Sequence, residues 1–462
     1  APVEAKLLQL RALSPRFSAG RASDAILSGI FEDLGRQPVP RPERRSFVGS
    51  VLMIIGSLGA GGAERQFAVT AGALQSAIHT GRTMAGYDVI GPLNIFCRSL
   101  RTRDAADFFE GSLRSQNIPV YEYADFEAFG GHEGQSVVAP LREALRFLPQ
   151  QIIDGTTRLA DSIRHLAPDV VHIWQDGSIL ATGLAAAIAR VPRIILTVRS
   201  LPPIDRPDRY RPEYEVIFRS LLALPSVRLV ANSNTAARRY EEWLELEQGS
   251  VDVIYNGVDA LADGARPEDL AKSSAFDAAT AGWCFTVGSV MRLDENKRPF
   301  LWLDAAAAML RSQPAMRFIL VGDGPLKAAA IDYATRLGID HRVLFTGRSQ
   351  SVGYWLSRMD AFALLSAVEG LPNVLIEAQH AGVPVITTPA GGAAETVLAG
   401  ETGFVLPLHD GEPDPQDVAD LVLALHADPR RRGAMSARAR DWAQATFSVS
   451  TMTERMVRTF IE

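Results

Sequence analysis

Glu369-Gly370-Leu371-Pro372-Asn373-Val374-Leu375-Ile376-Glu377-Ala378-Gln379-His380-Ala381 follows the apolar run Phe362-Ala363-Leu364-Leu365 and precedes Val385-Ile386-Thr387. The two apolar runs read as buried parallel strands. Between them, Glu369 and Gly370 form a turn. Pro372 suits a first helical residue, because a helix start leaves that N–H unpaired anyway. Val374, Leu375, Ala378 and Ala381 share one helical face, and Gly382 ends the helix. The pattern is strand, loop, helix, strand, with the loop at a strand's carboxyl end, where open α/β sheets bind ligands. Free N–H groups near Asn373 and Val374 suit a phosphate. Glu369 and Glu377 flank that anion site and suit hydroxyls on either side of it, the layout of a nucleotide-sugar. The plain alternative is a solvated turn glutamate and a surface helix glutamate.

At 462 residues the chain exceeds one ordinary core, so two domains are expected. Its 47% hydrophobic and 22% charged content are globular values. A net charge of −6 argues against nucleic acid as the main partner. Cys97 and Cys284 stand far apart, so neither a disulfide scaffold nor a cysteine-rich zinc site is supported. No apolar run reaches bilayer length and no signal peptide is visible, so a cytoplasmic location is expected, with peripheral membrane contact left open.

Residues 1–45 stand apart. They carry two short helical patterns and the connector Gln37-Pro38-Val39-Pro40-Arg41-Pro42. They read either as a docking arm for a membrane, a partner protein or another subunit, or as a hairpin packed on the next domain. Val51 to Ile55 is a strand running into the glycine loop Gly56–Arg65, which does not match a P-loop. Further strands are expected at 93–97, 170–174, 194–198, 229–233 and 251–255, with helices between them, one capped by Asn234 or Thr235. Thr102–Asn117 and 137–166 read as helical, and 201–211 as a loop. Residues 260–280 look like a linker. The second half begins with a strand at Trp283–Val287, and strands at 317–321 and 343–345 end in Gly322-Asp323-Gly324-Pro325 and Gly347-Arg348. The final helical stretch, 417–460, is broken near Asp428-Pro429 and Phe447.

Taken in order, several short motifs resemble those of the family-4 retaining glycosyltransferases of the GT-B fold. They are Gly61-Gly62-Ala63-Glu64-Arg65, Pro168-Asp169-Val170-Val171-His172, Tyr255-Asn256-Gly257-Val258-Asp259, Arg292 with Lys297, Gly322–Pro325 and Phe345–Arg348. Glu369–Asn373, Glu377-Ala378, Gly382–Val385, Gly391-Gly392 with Glu395, and Thr402-Gly403 complete the series. The resemblance covers roughly residues 48–460. It implies an α/β protein of two Rossmann-like parallel-sheet domains facing across a cleft, behind an N-terminal helical extension. The expected divisions are 1–45, 46–262 for the acceptor domain, 263–445 for the donor domain, and a helix at 446–462 packing back on the first domain.

The resemblance also implies roles. Arg292 and Lys297 hold the donor diphosphate and stabilise charge on the leaving phosphate. Glu369 meets the transferred sugar without acting as a nucleophile, and Glu377 binds ribose. Gly322, Gly370, Leu371, Pro372, Asn373 and Val374 complete the donor pocket, with the base near Gly347 and Arg348. Gly61 and Gly62 approach the pyrophosphate, and Arg65 reaches the acceptor. The partners implied are a nucleotide-sugar, with UDP as the base, and a glycan or lipid-linked glycan acceptor at the inner face of a membrane. No D-x-D triplet occurs, so no metal and no cofactor is expected. The chain departs from the family pattern where a histidine often touches the sugar, for it reads Thr197-Val198-Arg199-Ser200. Trp174-Gln175-Asp176-Gly177 likewise replaces a histidine-containing stretch, so Arg199 and Asp176 become candidate acceptor contacts. His172 is expected to pack beneath the site, and His380 to lie on a helix surface. A nucleotide-sugar epimerase of the same fold, or a non-catalytic binding protein that kept it, are the alternatives.

Overall fold

The computed structural model describes residues 46–101, 107–123, 148–206 and 210–462. The N-terminal extension and parts of the expected 102–117, 137–166 and 201–211 segments lie outside them. The chain forms two compact units. The first runs through Gly257 and regains the chain at Val449–Glu462; the second is Val258–Ser448.

The strands in chain order are β1 (Phe47–Val48), β2 (Val51–Ile55), β3 (Asp88–Val89), β4 (Leu93–Cys97), β5 (Val120–Glu122), β6 (Val170–Trp174), β7 (Arg193–Val198), β8 (Val227–Ala231), β9 (Asp252–Val253), β10 (Phe285–Val290), β11 (Met316–Val321), β12 (Val343–Gly347), β13 (Ala361–Leu364), β14 (Val385–Thr387) and β15 (Gly403–Val405). The first unit carries a seven-stranded sheet in the order β5-β4-β2-β6-β7-β8-β9, beside the short β1–β3 pair. The second carries six strands in the order β12-β11-β10-β13-β14-β15. Every pairing in both sheets is parallel. In each sheet the first strand of the run has later strands on both sides, so the order reverses there, as in doubly wound folds. The side chains of β2, β6, β7, β10, β11 and β13 are almost all buried, which is why these runs read as continuously apolar.

Several expectations shift. Residues 267–279 are a helix, not a linker: Pro267 starts it, Glu268 and Asp269 occupy its first turn, and Phe276 is buried. The acids and alanines that read as linker are helix formers on a mostly exposed face. Ser233, not Asn234 or Thr235, is the cap, its hydroxyl accepting from the Ala236 N–H at 3.1 Å. The strand expected at Trp283 begins at Phe285, because Trp283 is spent on the Arg317 guanidinium, 3.6 Å from its ring centroid. Pro372 caps its helix from an extended conformation (φ −75°, ψ 113°), and the helix proper is Asn373–His380. Residues 258–262 belong to the second unit rather than the first. The Val258 N–H donates to Phe447 O at 2.7 Å, and the Ala262 carbonyl lies where a Gly353 side chain would begin. The Val449–Ile461 helix buries Met452, Met456, Val457, Phe460 and Ile461 in the same cluster as Phe67 and Leu74.

Candidate active site

In the second unit, β10 and β13 are neighbours at the point of reversal, and the loops leaving their carboxyl ends meet. The β10 loop carries Arg292 and Lys297, and the β13 loop carries Glu369. The Lys297 ammonium donates to the Glu369 carboxylate, with side-chain exposures of 19% and 12%. The surrounding chain holds this pair in place. The side-chain amide of Asn296 donates to Val368 O at 3.0 Å and accepts from the Val368 N–H at 2.9 Å. The Ala367 N–H donates to Asn296 O at 2.8 Å. Asp294 caps the Glu295–Lys297 turn by accepting from the Lys297 N–H at 3.2 Å. Arg298, in the left-handed region at φ 49°, reaches the Leu365 and Ser366 carbonyls at 3.4 and 3.3 Å. On the other side, Gly392 N–H donates to Gly370 O at 2.8 Å. A Cβ on Gly391 would fall 1.9 Å from Glu369 O. Lys297 and Glu369 are therefore held in a clamp by hydrogen bonds between the two loops and the close approach of Gly391.

The other residues expected to bind the donor lie in the same unit, in the loops after β10, β11, β12 and β13 and on the Asn373–His380 helix. Arg292 is 70% exposed and pairs with Asp294 at 3.4 Å. Gly322 lies at φ 134°, and a Cβ there would strike Met291 O at 1.9 Å, so it lets the β11 loop close on the β10 loop. Gly347 (φ 75°) ends β12, and Arg348 is exposed beside it. Leu371 and Pro372 are buried, Asn373 and Val374 are half-buried at the helix start, and Gly370 is half-buried in the turn. Glu377 is buried rather than lying on the surface, one turn into the helix. It lines a cavity of about 360 Å³ together with Ala260–Asp263, Gly353 and His380. His380 is half-buried against this cavity rather than a surface residue, and burial lowers its pKa.

In the first unit, Gly61 caps the Gly62–Thr80 helix, and a Cβ there would fall 2.1 Å from a Glu64 oxygen. Glu64 accepts from Gln175 at 2.9 Å, and Arg65 is half-buried on the same helical turn. Asp176 does not present a free carboxylate to an acceptor. It is buried, and its two oxygens accept from Arg206 and Tyr240. Burial, then Asp176, pushes the Tyr240 hydroxyl well above its ordinary pKa. His172 is fully buried within β6. Its Nδ1 accepts from Trp174 Nε1 at 3.2 Å, which leaves Nε2 to donate to Thr197 Oγ1 at 2.8 Å. Burial, and then the nearby Arg199, lowers its pKa to about 3. Arg199 stands just past β7, its guanidinium 4.7 Å from the Trp174 ring and donating to Asn256 Oδ1. Burial lowers its pKa to about 9, so it keeps its charge at neutral pH.

Sequence reasoning missed Asn296 and Arg298, which fix the clamp. It also missed Gln66, whose amide makes two 2.9 Å bonds to the Gly257 backbone. Among the described residues, no group of three or more His, Cys, Asp or Glu is placed to hold a metal, and no helix is long and apolar enough to cross a membrane.

Residues 284–442 match the family described as glycosyl transferases group 1, and residues 112–260 match glycosyltransferase family 4. The Vi polysaccharide biosynthesis protein VipC/TviE of Salmonella typhi is 37% identical, over 92% of this chain and 73% of that protein. The UDP-Gal:alpha-D-GlcNAc-diphosphoundecaprenol alpha-1,3-galactosyltransferase of Escherichia coli is 27% identical over 52% of this chain and 63% of its own. Anabaena HepE, solved with UDP and glucose, superimposes with a TM-score of 0.66 at 21% identity, over 89% of this chain and 99% of its own. At that identity the likeness speaks for the GT-B fold alone.

Proposed function

The chain belongs to the group 1 glycosyl transferases, and from that premise we propose that it moves a sugar from a UDP-sugar to a glycan or lipid-linked glycan acceptor, with retention at the anomeric carbon. The observation that carries this reading is the Lys297–Glu369 pair, held at the carboxyl edge of the β10–β13 switch point. A diphosphate beside Lys297 and Arg292 meets two cations of different kinds, a point charge and a planar fork. As the ammonium turns to phosphate, Glu369 gains a free oxygen for the hydroxyls of the transferred sugar. The bond from the anomeric carbon to the leaving phosphate oxygen breaks with its electron pair on that oxygen. The acceptor oxygen bonds on the same face, and its proton passes to the departing phosphate. Positioning and charge stabilisation are enough for this path. In this reading Arg292 and Lys297 take the role that a divalent ion plays elsewhere. Involvement in polysaccharide assembly is supported by the Salmonella relative's name, and a lipid-linked acceptor by the Escherichia coli relative's.

The test is a thermal-shift panel of UDP, GDP, ADP and TDP and their sugars, with and without EDTA, on the wild type and Lys297→Ala. UDP is expected to raise the melting temperature of the wild type by mass action, unaffected by EDTA, and to leave the variant unmoved. Transfer by Lys297→Ala should fall by about two orders of magnitude or more, the loss that follows removal of one charge-stabilising donor. A shift with another base would replace UDP in the reading. No shift with any nucleotide, or full activity in the variant, would remove the donor site.

A further inference from the structure

The first unit has its own point of reversal, between β2 and β6, and the loops leaving their carboxyl ends converge there. Gln175 alone links β6 to the helix Asp176–Ile188. Its backbone sits at φ 72° and ψ 140°, a region that glycine enters freely and other residues rarely do. Its N–H donates to Thr197 O at 2.9 Å, which pins the strained residue to β7. The side chain does not cap the helix that follows. It crosses to the neighbouring loop instead, where Nε2 donates to Glu64 Oε1 at 2.9 Å. Glycine would relieve this backbone, so the strain is borne for the glutamine side chain.

The two side chains stand on a rigid mount. Trp174 and Phe67 are fully buried and meet edge to face at 5.6 Å, which locks β6 to the helix that carries Glu64. Ser57 Oγ adds a longer bond to Glu64 Oε1 at 3.4 Å. Glu64 Oε2 and Gln175 Oε1 accept no hydrogen bond among the described residues. The amide is not free to turn its oxygen away, because its NH2 must face the carboxylate. Both residues are only half-buried, so a ligand can reach them. Side chains on Gly56 and Gly61 would begin 3.5 Å from Gln175 Oε1 and 2.1 Å from Glu64 Oε2, and their absence keeps the approach clear. Two open acceptors, one of them charged, suit a ligand that donates twice. The carboxylate repels a phosphate. A divalent ion needs more oxygen ligands, and no group of three His, Cys, Asp or Glu stands here among the described residues. Two hydroxyls on one sugar ring fit.

We propose that Glu64 and Gln175 form a subsite for two neighbouring hydroxyls of the acceptor sugar and select the acceptor by where those hydroxyls stand. This rests on the transferase reading above and deepens it. Glu64 Oε2 accepts from one hydroxyl and Gln175 Oε1 from the other. Lys297 and Glu369 belong to the second unit, so this subsite can fail without the donor site failing.

The test is binding to the full chain, titrated by saturation-transfer NMR with UDP present and absent. The probes are the p-nitrophenyl glycosides of glucose, galactose, mannose and N-acetylglucosamine and, for each, the analogues that lack one ring hydroxyl. At least one parent glycoside is expected to bind. Its affinity should fall by about tenfold or more when one particular hydroxyl is removed, and by about threefold or more when the neighbour is, the worth of a charged and a neutral hydrogen bond. Glu64→Gln should weaken the parent by about tenfold and erase the first penalty, so that parent and deoxy analogue bind alike. Gln175→Gly should erase the second penalty while its melting temperature stays close to that of the wild type, since the backbone is relieved. Both variants should keep the wild-type thermal shift with UDP, and either decides the matter if the other does not fold. Binding of no glycoside, penalties that survive in the variants, or a Gln175→Gly chain that binds the parent in full overturns the proposal. So does a loss of UDP binding as large as the loss of glycoside binding, since the pair then serves the fold or the diphosphate. A wild type that binds UDP but no glycoside leaves the transferase reading intact. One that binds no nucleotide defeats that reading as well.

Discussion

His172 sits fully buried between Thr197 and Trp174, and the fold fixes both its tautomer and its charge. Its pKa is lowered from 6.5 to about 3, chiefly by burial. In that window the unfolded chain binds the extra proton and the folded chain does not. Stability is therefore full above the unfolded pKa and is lost as pH falls toward the folded one, with a slope approaching ~1.4 kcal/mol per pH unit. His380, lowered by the same cause, adds in the same direction. Denaturant titrations from pH 7 to pH 5, where carboxylates stay ionised, should show this loss in the wild type and a shallower one in His172→Gln. Equal slopes would mean that His172 is not held neutral. At this scale the charged residues of the β10 and β13 loops were legible. Arg292, Lys297 and Glu369 could be named from motif order, through the resemblance to the family. The Lys297–Glu369 contact could not, nor the amide bridge from Asn296 to Val368, since each joins residues 72 positions apart in the chain. Asp176 was legible as a polar group at a strand end but not as one already satisfied by Arg206 and Tyr240, for the same reason.

Between β14 and β15, the short turn at Gly391–Thr396 has a larger task than its sequence suggests. Gly391 adopts φ 52°, and its missing side chain makes room for the Glu369 carbonyl. Gly391→Ala must displace the Glu369 loop as well as bear about 1 kcal/mol or more of backbone strain. We expect transfer to fall by about tenfold to a hundredfold from misplacement of Glu369, while the fold persists by circular dichroism. Gly400→Ala is the control: it also has positive φ (82°), but nothing lies within 4 Å of the added atom. That variant should carry the strain and keep its activity. Equal activities would show that Gly391 is only a turn residue. The central strands were readable from sequence because parallel strands buried on both faces are apolar throughout, whereas the short β1, β3 and β5 were not. The Pro267–Ala279 helix was not, because its polar outer face hides the periodicity that a helix needs to be seen. The Asn373–His380 helix was placed to within a residue or so, its start set by Pro372 and its end by Gly382.

At the scale of the whole chain, the last helix returns to the first unit and completes its core. Truncation after Ser448 would strip Met452, Met456, Val457, Phe460 and Ile461 from that cluster. At ~1.5–3 kcal/mol for each large apolar side chain, the loss is comparable to a domain's entire stability. Limited proteolysis of the truncated chain should therefore digest the first unit and spare residues 258–448. A first unit that stays protected would show that the helix is dispensable. The amino-acid sequence by itself determined that there are two parallel-sheet units and that Arg292, Lys297 and Glu369 stand in loops at strand carboxyl ends. These follow from local rules: apolar runs, turn residues and helix starts act over a few positions. Tertiary structure alone decided which of those charges meet, which are already satisfied, and which stay unpaired. Lys297 finds Glu369, Asp176 is consumed internally, and Arg199 and Asn232 keep idle polar atoms, because hydrogen-bond satisfaction depends on neighbours that only the folded sheet brings together.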